Sequence, residues 1–176
     1  MSGPKIACIG IIGKADNPLH ISLFPPYLSS TIEFSFLLNS CLDIFEIQQK
    51  QTSVDQDLGL LHAIDERLAA YGWLTTTGVK LLVIIDLIGQ STPNDTENQK
   101  GSGRTGLKNP DLKPVFRALQ TAYIRLLQNP FYSPDDHVPT VRTAPPTLGS
   151  LQIADHKFIA KVKHLGDTWA PGAPVA

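Results

Sequence analysis

The sequence predicts an α/β domain of the α+β kind, a five-stranded antiparallel-type sheet with helix 1 on one face and helices 2 and 3 on the other, in the order β-β-α-β-β-β-α-α. Three observations predict it. Apolar runs of strand length, separated by turn formers, fall at residues 5–13, 19–23, 58–64, 68–75 and 79–87. Residues 32–50 and 110–129 instead space their apolar side chains at helical period. The run Val79–Leu87 is apolar on both faces, which places it centrally in the sheet with helices on each side.

The first two runs form a hairpin. Lys5–Gly13 and Leu19–Leu23 flank the turn cluster Ala15-Asp16-Asn17-Pro18. Pro25-Pro26 then stops the second strand, and Ser29, Ser30 or Thr31 can cap the helix that follows. On that helix Phe34, Leu37, Leu38, Cys41, Leu42 and Phe45 share the side expected to pack on the sheet. A second, thinner ridge made by Ile32, Phe36 and Ile47, with Asp43 between the last two, lies on the opposite side. A helix apolar on both sides is covered twice, either by its own chain or by another protein.

Three further strands make a meander through the turns Asp65-Glu66-Arg67 and Thr76-Thr77-Gly78, where Gly78 can take positive φ. Residues 90–109 read as a flexible loop, rich in Ser, Thr, Asn, Gly and Lys. Pro110 and Asp111 are expected to open helix 2, whose stripe is Leu112, Val115, Phe116, Leu119, Ala122, Tyr123, Leu126 and Leu127. It is expected to end at Asn129, because Pro130 disfavours helical geometry in the residue before it. Residues 138–149 read as an extended connection. Helix 3 is expected from a Ser150 N-cap through Ala154, Phe158, Val162 and Leu165 to Gly166 at C′, with 167–176 a disordered tail. The single domain is therefore bounded at 5–166.

Composition narrows function. Of 176 residues 42% are hydrophobic and 18% charged, as in an ordered globular domain. The 15 basic and 16 acidic residues give a formal net charge of −1, which argues against a bulk electrostatic grip on nucleic acid or an anionic membrane. Cys8 and Cys41, each flanked by apolar residues, read as buried free thiols of a reducing compartment. The first residues lack an apolar run with a cleavage site, and no run approaches a membrane span. A cytosolic protein follows, one that touches membranes only through others.

No catalytic or cofactor motif survives inspection. Gly101-Ser102-Gly103-Arg104-Thr105-Gly106 fits G-x-G-x-x-G by letter but lies far from the preceding strand and ends before the next helix begins, which makes it a linker. Gly10-Ile11-Ile12-Gly13-Lys14-Ala15 is too short between its glycines for a phosphate loop, and Ala15 stands where a metal-binding hydroxyl is needed. The histidines at 20, 62, 137, 156 and 164 lack metal-ligand spacing, no G-x-S-x-G elbow is present, and no cofactor is implied. Asn129-Pro130-Phe131-Tyr132 matches a short sorting signal read by phosphotyrosine-binding adaptors. Its place directly after an amphipathic helix predicts instead that Phe131 and Tyr132 pack against the sheet, as a buried hinge.

The hexapeptide Asn129-Pro130-Phe131-Tyr132-Ser133-Pro134 resembles the signature of the sedlin family of TRAPP subunits. Three stretches agree in order and spacing: Lys14 to Ile21, Cys41-Leu42-Asp43-Ile44, and Tyr71-Gly72-Trp73-Leu74-Thr75 with Val79 to Asp86. The match spans roughly residues 5 to 165 and is closer to the family's subunit 2-like branch than to sedlin itself. It implies a longin-like (SNARE-like) fold and a non-catalytic subunit of the TRAPP tethering complex, peripheral at Golgi membranes and partnered by other TRAPP subunits. The resemblance further implies assembly of the TRAPP II form, which supports nucleotide exchange on a Rab-type GTPase; from charge and motifs, neither nucleic acid nor a cofactor is expected as ligand. The hexapeptide is then structural, and the expected partner surface is the outer ridge Ile32, Phe36, Asp43 and Ile47. An adaptor or SNARE regulator acting outside TRAPP is the alternative.

Overall fold

The computed structural model describes residues 3–50, 56–87, 112–132 and 153–173. Strands β1 (Lys5–Ile12) and β2 (Pro18–Leu23) are followed by α1 (Thr31–Gln49), then β3 (Gln56–Ala63), β4 (Leu68–Leu74) and β5 (Lys80–Asp86), then α2 (Lys113–Leu127) and α3 (His156–Thr168). The strands form one sheet in the order β2-β1-β5-β4-β3, and every neighbouring pair is antiparallel. Because β2 and β3 lie at opposite edges, the link between them must cross the whole sheet. That link is α1, so one helix covers one face.

The turns follow from their residues. Asp16 takes φ 62°, a left-handed conformation that a short polar side chain tolerates, and its carboxylate pairs with Lys80 at the base of β5. Asp65 closes the β3–β4 turn by accepting from the backbone N–H groups of Arg67 and Leu68, both at 2.6 Å. Gly78 adopts φ 84°, as its turn requires.

The central strand β5 is buried throughout, and its pleat splits it between two cores. Leu81, Val83 and Ile85 face α2 and α3, whereas Leu82 and Ile84 face α1. On β1 the parity changes midway. Ile6 faces α2 and α3 together with Ile9 and Ile11, while the adjacent Ala7 and Cys8 both face α1. A register shift between Ile6 and Cys8 against β5 explains it, since one extra residue in a strand reverses the alternation beyond it.

Both cysteines are free and buried, as expected from their apolar flanks. Other expectations need correction. Helix α2 starts at Lys113 with Pro114 in its first turn, where a missing N–H costs nothing, and it stops at Leu127, which is itself exposed. Helix α3 is capped by Asp155, whose carboxylate accepts from the Phe158 N–H at 2.9 Å. Gly166 lies inside α3 rather than at C′, because the Phe24 ring occupies the place a Cβ would take. The helix runs on through Thr168, and Trp169 joins the core, so the expected boundary at 166 and a disordered tail from 167 are wrong for these residues. Pro110, Ser150, the loop 90–109 with Gly101–Gly106, and the connection 138–149 lie outside the described residues.

Candidate partner-binding surface

The placement of α1 begins in the segment before it. Asp86, at the end of β5, accepts a hydrogen bond from the Tyr27 hydroxyl at 2.7 Å, and the Arg67 guanidinium stands 3.5 Å from the same oxygen. The tie fixes residues 24–30 to the sheet, and burial followed by the Asp86 carboxylate holds the Tyr27 hydroxyl above its ordinary pKa. A small cavity of about 200 Å³ beside this tie is lined by Lys5, Pro25, Tyr27, Arg67 and Asp86 among others. Tyr27, Arg67 and Asp86 pair with one another beside it.

Along α1, Phe34, Leu38, Cys41 and Phe45 are fully buried on the sheet. The helix comes close because β4 presents Gly72 beneath it. A Cβ there would stand 2.6 Å from Phe45 Cζ and 2.5 Å from Leu61 Cδ1. Burial drives the Cys8 thiol up to about 12 and the Cys41 thiol up to about 11, so both stay protonated and inert.

The other side of the same helix is the unusual one. Ile32 is 75% exposed, Phe36 71% and Ile47 58%, and Asp43 is exposed between them. At 100° per residue these four positions fall within an arc of about 60°, so they form one line down the helix. The structure therefore brings the four ridge residues together. Leu28, in the turn that leads into the helix, is also exposed, at 62%. The spacing 28, 32, 36 is visible in the sequence, but Leu28 stands beyond the cap and outside any helical window. Nearby acids, Glu33 and Glu46, border the ridge, and Glu46 is paired with Lys50 at 3.3 Å.

The signature residues lie elsewhere, after α2 on the opposite face of the sheet. Asn129 to Tyr132 form a β-turn, closed by the Tyr132 N–H donating to the Asn129 carbonyl at 3.0 Å, with the Asn129 side chain accepting from the Phe131 N–H at 3.1 Å. Proline in the second position sets that turn. Tyr132 packs partly on the core, but Phe131 is 95% exposed, so the expected burial of Phe131 is corrected: the turn holds the ring out into solvent. Pro134 lies outside the described residues.

His20 is half-buried, 2.8 Å from the Ser22 hydroxyl and edge-on to Phe158, and burial lowers its pKa. His62, His156 and His164 are exposed, and His137 is outside the described residues. No group of three or more His, Cys, Asp or Glu side chains is placed to hold a metal ion, and no helix is long and apolar enough to cross a membrane, both among the described residues.

Comparison with known proteins agrees with this architecture. A family model described as Sedlin matches residues 11–143. Curated relatives called trafficking protein particle complex subunit 2-like protein are similar over most of their length. The one from Dictyostelium discoideum is 32% identical over 139 residues, covering 76% of this chain and 87% of the relative. Those from Mus musculus and Bos taurus are 28% and 26% identical, each covering 74% of this chain and 86% of the relative. The antiparallel sheet, its element order and the helix on each face are those of the longin-like fold. With most of its length matched by the family and its fold in agreement, this chain belongs to the sedlin family.

Proposed function

We propose that this chain is a non-catalytic subunit of the TRAPP tethering complex, docked on neighbouring subunits through the outer ridge of α1. The observation that carries the reading is the line of exposed apolar side chains, Ile32, Phe36 and Ile47, around Asp43 on a helix whose inner side is already buried. Water-exposed aromatic and aliphatic groups in one line lower the free energy when a partner covers them, and the central ones dominate such interfaces. The names of the relatives support the identity of the complex. On this reading the chain assembles or stabilises the TRAPP II form, supports exchange on a Rab-type GTPase without contributing a reacting group, and reaches Golgi membranes peripherally through the complex.

The test is co-purification of tagged Phe36→Asp with TRAPP subunits. The substitution should leave folding intact, since Phe36 is 71% exposed, and should cost about 1 to 3 kcal/mol of binding, weakening affinity for partner subunits by about 5- to 150-fold and lowering their recovery. Recovery equal to wild type from a folded variant would sink the assignment. Stable binding of a SNARE segment by the isolated chain, with no TRAPP subunit recovered, would favour the adaptor alternative.

A further inference from the structure

The face opposite α1 carries a groove of about 760 Å³ between α2 and α3. Its floor is apolar, with Ala122, Leu126 and Phe158, and its walls bring together Arg125 from α2 with Lys157 and Lys161 from α3. Among the described residues one carboxylate, Asp155, lines it, and that group caps α3. The bias extends along both helices. Helix α2 carries Lys113, Arg117 and Arg125 and no acid, and α3 has three lysines to one aspartate. At one end stands Asn129, whose side chain holds the turn that presents the exposed ring of Phe131.

We infer that this groove is a second docking site, which takes an acidic segment of a partner protein with apolar side chains between its carboxylates. Charge complementarity selects the sign: among the described lining residues, cations from two helices outnumber the one carboxylate, Asp155, three to one. The apolar floor selects side chains that bury. A concave groove between two helices suits a chain segment, whereas a flat anionic bilayer would meet only its rims. The site is independent of the α1 ridge and on the other side of the sheet.

Fluorescence anisotropy with the full chain tests it. The probe is a labelled, acidic amphipathic peptide of Glu, Asp, Leu and Phe, about 12 residues long, enough to run the roughly 17 Å from Ala118 to Asn129 as a helix. Saturable binding that weakens with added salt is expected. The double variant Arg125→Glu/Lys157→Glu should bind at least about tenfold more weakly. Phe36→Asp should match wild type. An acid in the first turn of a helix is favourable, so Lys157→Glu should not unfold α3, and thermal midpoints check this. Equal binding by the double variant, or by a peptide with Gln and Asn in place of its acids, overturns the proposal. So does absence of saturable binding, or displacement of the peptide by phosphatidylserine vesicles that bind the same cations.

Discussion

The two faces of the sheet are covered in opposite ways. On one, α1 works alone: it spans the sheet from edge to edge, buries Phe34, Leu38, Cys41 and Phe45, and still exposes Ile32, Phe36 and Ile47 behind them. On the other, α2 and α3 share the load, bury long stripes, and turn lysines and arginines outward. The second pattern is close to what solubility and packing alone would produce, because most apolar residues of each helix lie in its buried stripe, Ile124 of α2 being an exposed exception. The first is not. An apolar ridge facing water contributes nothing to the fold of this chain, which is why the proposed docking role is placed there.

Removing large buried side chains from each face should break both, with different local signatures. Phe45 and Phe116 are both fully buried, one under α1 and the other under α2, and truncating either to alanine should cost about 3 to 5 kcal/mol. Urea unfolding measures this. The distinction appears in the thiols, which both lie in the α1 core. Phe45→Ala should speed their labelling by a disulfide reagent at mildly alkaline pH well beyond Phe116→Ala, because the helix that shields them has no second helix beside it. Equal labelling in the two variants would mean that the faces open together.

A smaller effect sharpens the same contrast. Gly72→Val puts methyl groups where Leu61 and Phe45 already sit, and overpacking of this kind costs about 1 to 3 kcal/mol. The strain falls on α1 and should raise hydrogen exchange along that helix while α2 stays protected. Protection unchanged in α1 would show that β4 yields instead.

Much of this was legible in the residues, for physical reasons that also explain the misses. Strands with strict alternation or two apolar faces announced themselves, as did the outer ridge of α1, whose members repeat at helical spacing. Proline at 110 and at 114 both satisfy the rule for a first turn, and local chemistry could not choose between them. Gly166 carries the mark of a helix end, but a long-range contact with Phe24 gives it a different reason to be glycine. Phe131 is apolar and follows a buried stripe, yet Pro130 turns the backbone so that its ring points outward. The cationic groove was hidden by averaging: a chain with net charge −1 can still place its cations on one face and acids such as Glu33, Asp43 and Glu46 on the other.

The smallest expected effect lies on the face of α2 and α3 and depends on pH. His20 sits on β2 against the ring of Phe158, and burial there lowers its pKa below the ordinary 6.5. In the unfolded chain the imidazole regains its ordinary value, so as pH falls through about 6.5 the unfolded state takes up the proton first. The unfolded state then binds more protons than the folded one, and stability must decrease as pH falls. This contribution is complete above the unfolded pKa, is lost as pH drops through that value toward the lowered folded one, and levels off once both states are protonated. His20→Gln keeps a polar side chain near the Ser22 hydroxyl and removes the titration. Urea midpoints for the variant should therefore change less than those of the wild type between about pH 7.5 and 5.5, the carboxylates common to both proteins cancelling in the comparison. Parallel profiles would mean that the imidazole protonates in place, with β2 and α3 parting enough to hydrate it.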